Sequence, residues 1–190
     1  MGSPDPLPVP GPIAYAGAMD QRTLQAQLDA VADVDRPEGL EVATLTEYDI
    51  PALAALHLVA YDRPEIAENL WEATDEMRMS FDGAFGTPLD DSFIGAWIDG
   101  QLVGALLCVT DAPVDDAPAG PFVIDLMVDP EHRRKGIAKV LVSELADRAR
   151  SWGSDTVALR LDPNSLPAGK LYELLGFEQV GDGDEGDPES

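Results

Sequence analysis

Residues Phe122 to Leu145, FVIDLMVDPEHRRKGIAKVLVSEL, decide the fold. The stretch begins as an apolar run broken only by Asp125, the pattern of a buried strand. Asp129-Pro130 ends that run and a short basic loop follows. Ile137, Val140, Leu141 and Leu145 then recur at i, i+3, i+4 and i+8, which predicts an amphipathic helix with one apolar face. Arg133, Arg134, Lys135, Gly136, Ile137 and Ala138 fall where that helix must start.

A helix start leaves N–H groups without intrahelical partners and carries partial positive charge. A glycine there lets a diphosphate approach the backbone, and Arg or Lys side chains add neutralising charge. The chain has 12 Lys plus Arg against 36 Asp plus Glu. Against that background, Arg133, Arg134, Lys135 and Lys139 crowd into one short stretch and mark an anion site. A solvated helix start with ordinary surface cations is the competing reading. The preceding strand, the following helix and a second motif downstream weigh against it.

Composition narrows the rest. A chain of 190 residues makes one domain with an arm, and its 45% hydrophobic content suffices for a core. A formal net charge of -24 repels phosphate, excludes nucleic acid as a partner and favours a cationic substrate. Cys108 is the lone cysteine, so no internal disulfide forms, and its place in an apolar run makes it a buried hydrophobe rather than a nucleophile. No run reaches membrane-spanning length and the start lacks signal-peptide character, so a cytoplasmic protein with no membrane partner is expected.

Taken in order, residues 1–38 read as a Pro-rich arm with one short helix. Leu24, Leu28 and Val31 at i, i+4 and i+7 carry that helix. The folded domain spans residues 39–181. Leu40 to Leu45 reads as a strand, and Thr46 caps a helix through Leu53, Leu56, Leu58 and Val59. Pro64 opens a second helix, in which Glu65, Glu68, Glu72 and Glu76 line one face. That face is either an ordinary solvated one, the better-supported reading, or an acidic wall attracting amines. Phe93–Ile98 and Leu102–Thr110 form a hairpin about Asp99-Gly100. Thr156–Leu161 is a further strand, Leu166–Leu175 a short helix, and Phe177–Val180 a last strand. Residues 182–190 read as an acidic, disordered tail. His57 and His132 have no evident acidic partner in sequence and read as non-catalytic.

Val128-Asp-Pro130, followed by Arg133-x-x-Gly136-x-Ala138, resembles the acyl-CoA signature of the GNAT superfamily of N-acetyltransferases. A second motif of that family follows, from Asn164 through Leu171-Tyr172 to Gly176-Phe177. The resemblance implies a mixed α/β (α+β) fold, a central sheet flanked by helices, over roughly residues 40–181. The family's final strand is missing here, or is supplied by the arm or by a partner, which leaves a homodimer open. The implied activity is transfer of acetyl from acetyl-CoA directly to an amine acceptor, without a metal or covalent enzyme intermediate. By resemblance, the backbone of Leu126, Met127 and Val128 pairs with the pantetheine arm. That of Arg134 to Lys139 cradles the pyrophosphate, and the Arg133 and Arg134 side chains assist. Tyr172 protonates the leaving thiolate, and Asn164 or the neighbouring Ser165 contacts the pantetheine. Asp125 is either a general base or a structural acid. The alternative function is a non-catalytic acyl-CoA-binding regulatory module of the same fold.

Overall fold

The computed structural model describes residues 22–112, 117–161 and 172–180. Seven strands form one mixed sheet in the order β2-β3-β4-β5-β6-β1-β7. The strands are β1 (Arg22–Gln27), β2 (Leu40–Thr44), β3 (Thr87–Ile98), β4 (Gln101–Thr110), β5 (Phe122–Val128), β6 (Thr156–Leu161) and β7 (Glu178–Val180). Helices α1 (Ile50–Ala60) and α2 (Ala67–Phe81) cover one face, and α3 (Ile137–Ser151) the other. No helix among the described residues is long and apolar enough to cross a membrane.

Local chemistry explains the well-placed elements. Thr46 and Asp49 form a reciprocal capping box ahead of α1. Asp99 and Gly100 both take positive φ, 51° and 79°, as the tight β3–β4 turn requires. Ile137, Val140, Leu141 and Leu145 of α3 are all buried against the sheet.

The N-terminal segment departs from expectation. Residues 22–27 form a strand, not part of a helix, and β1 lies between β6 and β7, antiparallel to both. Leu24, Ala26 and Leu28 alternate as a strand requires, as well as fitting part of a helical repeat. Buried at 7%, 2% and 2% exposure, they join the core under α3. A slot with unpaired backbone on both sides favours the extended form, because each N–H and C=O then finds a ladder partner. Of the three possibilities left open for the missing strand, absence, the arm or a partner, it is the arm that takes a place in the sheet. The second helix also starts later than Pro64 suggests, at Ala67, leaving Glu65 ahead of it. The expected tail beyond Gly181 lies outside the described residues.

β1 anchors the segment that follows β6. A helical turn at 172–174 leads to Gly176, whose φ is +100° and whose hydrogen faces the Ala30 carbonyl. A Cβ there would come within 2.5 Å of that oxygen. Gly176→Ala is therefore expected to cost roughly 2–4 kcal/mol in urea denaturation, from strained backbone and a clash that backbone cannot relieve cheaply. A cost below ~0.5 kcal/mol, the range of an ordinary surface substitution, would contradict the close approach.

Candidate active site

The site starts from one irregularity in β5. Leu107 of β4 pairs with Asp125, but Cys108 pairs with Val123, so Ile124 is an extra residue forming a bulge. Strict alternation would send Asp125 to the same side as Val123, into the core under α3. The bulge resets the phase. Phe122, Ile124 and Met127 pack toward α1 and α2, whereas Val123, Leu126 and Val128 pack toward α3. Asp125 is consequently fully buried on the α1–α2 side, where Tyr61 donates its hydroxyl hydrogen to Oδ1.

Three further groups meet there. His57 of α1, one turn before Tyr61 at the helix end, packs against its ring with centroids 4.7 Å apart and planes tilted by 54°. Glu76 of α2 places Oε2 3.3 Å from His57 Nε2, with both residues nearly inaccessible. A nitrogen or carboxylate oxygen from each of His57, Glu76 and Asp125 lies within 4.8 Å of the other two. Tyr172, 8% exposed, sits near enough for the Asp125 charge to act on its hydroxyl.

Burial governs the titration of this cluster. Desolvation pushes the Asp125 carboxyl up to about 7, partly offset by the Tyr61 hydrogen bond and the His57 charge. Burial, and then the Asp125 charge, holds the Tyr172 phenol above its ordinary value, so it stays protonated at neutral pH. The Tyr61 phenol is raised for the same two reasons. Burial likewise raises the Cys108 thiol, in keeping with a packing role.

The sign for stability follows. Folded protein holds the Asp125 proton up to about pH 7 while the unfolded chain releases it near the ordinary carboxyl value of 3.8. Stability contributed by this group therefore falls as pH rises between those values. Asp125→Asn, which keeps an acceptor for Tyr61, should be more stable than wild type by roughly 1–3 kcal/mol at pH 8. The gain should disappear near pH 4. Chemical denaturation at the two pH values measures it, and an equal effect at both would contradict a raised carboxyl.

A second feature lies at the C-terminal end of β5. β5 and β6 run parallel but pair only at Phe122–Ala158 and Val123–Leu159. From Ile124 to Val128 the β5 edge toward β6 has no ladder partner among the described residues, so the sheet opens as a fork. Leu126 and Val128 are half-buried along it and Met127 is buried. Beyond Val128, Asp129 accepts from the Glu131 N–H and shapes the turn. Arg134 takes φ 69° and Gly136 φ 80°, both left-handed. A Cβ on Gly136 would meet nothing within 4 Å, so the helix start faces open space. The first intrahelical bond of α3 runs from the Val140 N–H to the Gly136 carbonyl, leaving the Ile137, Ala138 and Lys139 N–H groups directed out of the helix. These features fit an extended acyl thioester ending in a diphosphate.

The predicted residues divide accordingly. Arg134 and Lys135 are exposed beside the helix start, while Ala138 and Lys139 are half-buried in its first turn and Ile137 is buried beneath them. Arg133 is already engaged, donating to the Ala60 carbonyl and tying the loop to α1. Asn164, Ser165 and most of the expected short helix lie outside the described residues. His57, Tyr61 and Glu76 escaped the sequence reading. Contrary to that reading, His57 has an acidic partner, and Glu76 is buried rather than part of a solvated face. The signal for Glu76 was its place on the buried stripe of Ala73, Met77 and Ser80, at i-3, i+1 and i+4.

A mixed-sheet α/β domain with a forked centre and an open helix start at the fork defines a class of acyl-CoA-binding folds. Residues 51–177 match the Acetyltransferase (GNAT) family, and the chain belongs to it. It is 29% identical over 164 residues to the chloroplastic GCN5-related N-acetyltransferase 4 of Arabidopsis thaliana, covering 80% of this chain and 51% of that protein. It is 32% identical over 145 residues to the mycothiol acetyltransferase of Thermobispora bispora, covering 74% and 47%. With human N-acetyltransferase 8 it shares 40% over 83 residues, 42% and 34% of the two chains. The chain thus spans about half or less of the length of these three curated relatives. Among solved structures, the GCN5-related N-acetyltransferase of Sphaerobacter thermophilus superposes with a TM-score of 0.64 at 20% identity, over 84% and 48%. The ribosomal-protein-S18-alanine N-acetyltransferase of Escherichia coli superposes with 0.57 at 19%, over 75% and 79%, which supports the same fold.

Proposed function

We propose that the protein is an acetyl-CoA-dependent N-acetyltransferase that passes the acetyl group directly to a primary amine in a ternary complex. The observation that carries this reading is the β5 edge, unpaired toward β6 among the described residues, that runs from Ile124 past Asp125 toward the open start of α3. In this reading the backbone of Leu126 to Val128 completes its hydrogen bonds with the pantetheine, much as a neighbouring strand would. The N–H groups at the start of α3 take the diphosphate, with Arg134, Lys135 and Lys139 supplying charge.

The amine nitrogen attacks the thioester carbonyl carbon, the C–N bond forms, and the C–S bond breaks with its electron pair on sulfur. Asp125 takes the proton the amine loses, directly or through a water, and its raised proton affinity suits a base working near neutrality. Tyr172 gives its hydroxyl proton to the departing sulfur. The proton gained at Asp125 returns to Tyr172, so no net proton is needed when the amine enters neutral. The acceptor in this reading is a small cationic amine or a protein N-terminus or lysine, drawn by the acidity of the chain. The filled sheet slot removes the missing strand as an argument for a non-catalytic binding module.

The test is CoA thiol release from acetyl-CoA with spermidine, an aminoglycoside, and peptides carrying a free N-terminus or a lysine. Turnover with intersecting initial-rate patterns supports direct transfer. Parallel patterns would require a covalent acetyl-enzyme and overturn it. Failure of every acceptor to release CoA, alongside intact acetyl-CoA binding, would point to the binding module.

A further inference from the structure

His57 and Glu76 form the buried polar pair that the proposed reaction does not use. His57 Nδ1, both Glu76 carboxylate oxygens and Asp125 Oδ2 lie out of solvent contact without a hydrogen-bond partner among the described residues. Four such atoms within one cluster are costly unless they share protons, because an isolated buried charge is far less stable than a paired one. The groups facing one another are His57 and Tyr61 from α1, Glu76 from α2, Asp125 from β5, and Tyr172 from the segment after β6.

We infer that His57 and Glu76 are positioning residues for Asp125, a buried imidazole–carboxylate pair whose polar atoms face its carboxyl and act on its proton. This rests on Asp125 acting as the base in the proposed transfer. Positive charge on His57 favours the ionised Asp125 carboxylate, and negative charge on Glu76 opposes it. The pair neutralises itself, so Asp125 can gain and lose one proton per turnover without leaving two unbalanced charges in the core. No bond to His57 or Glu76 is made or broken in the transfer. Their part is electrostatic, and it gives a reason for burying an acid and a histidine where α1 and α2 meet.

The chain has two histidines, so ¹⁵N-histidine NMR resolves the pair, with His132 of the basic loop as an internal reference. The expected result is a pH-dependent step at the His57 ring nitrogens that depends on Asp125, whereas the His132 signals do not depend on that residue. Asp125→Asn should abolish the step. Glu76→Gln should move it to lower pH by about half a unit or more, because a like charge beside Asp125 has been removed. Near-isosteric amides keep the packing, and circular dichroism of each variant checks the fold. If Asp125→Asn leaves the His57 titration unchanged, or Glu76→Gln leaves the step in place, the inference is overturned. One equivalent of zinc or manganese in the purified protein would also overturn it, since a cation would then take the place of the shared proton. The titration needs no acceptor. An uncoupled His57 in a protein that releases CoA with spermidine sinks this inference alone. Coupling in a protein whose Asp125→Asn variant turns over at the wild-type rate removes the base reading beneath it.

Discussion

Tyr172→Phe is expected to lower kcat by about 10²–10⁴-fold, the usual worth of a positioned general acid, with acetyl-CoA affinity little changed. The substitution removes one oxygen and keeps the ring, which packs edge-on against Phe177 with centroids 5.5 Å apart. Stability should therefore hold, and any loss of rate reports on the proton. A phenol raised by burial stays protonated through the working range and has a hydrogen to give. A thiolate leaving into a water-poor site has few other sources. Stopped-time assays of thiol release at saturating acetyl-CoA read kcat directly. A loss confined to KM, or no loss, would show that Tyr172 is a packing residue and that solvent protonates the sulfur.

The second large effect concerns the donor. Arg134→Glu combined with Gly136→Asp should weaken acetyl-CoA binding by about 10²-fold or more, since charge-assisted and helix-start contacts to the diphosphate are both reversed. Gly136 sits at φ +80°, a conformation that costs a side-chain-bearing residue roughly 1–2 kcal/mol. The aspartate would also place a negative charge at the start of α3. Gly136→Ala separates the two causes, because it carries the backbone cost without the charge. Binding retained by the double variant would mean that the basic loop is an ordinary solvated helix start.

How far the sequence revealed this arrangement depended on whether a feature was local. The strand, basic loop and helix from Phe122 to Leu145 were legible because period, charge and turn residues all agreed, and the Asp99-Gly100 hairpin and Thr46 cap were legible for the same reason. β1 was not, since Leu24, Leu28 and Val31 fit a helix while Leu24, Ala26 and Leu28 fit a strand. A slot between two distant strands made the choice. The direction of Asp125 was hidden as well. It depends on the bulge at Ile124, which exists only in the pairing with β4. Glu76 looked like one member of an acidic row, and its burial required knowing that α2 begins at Ala67 and which stripe faces the sheet. The proposed donor-binding half was therefore readable from one segment, whereas the proposed chemical centre is assembled from α1, α2, β5 and the segment after β6.

Titration of the wild-type protein with acetyl-CoA by calorimetry tests the central claim most directly. The account predicts saturable one-to-one binding, with CoA binding comparably because the diphosphate and pantetheine contacts are common to both. A well-folded protein that takes up no heat with either ligand would contradict it, leaving the forked sheet and the open start of α3 without the ligand they fit.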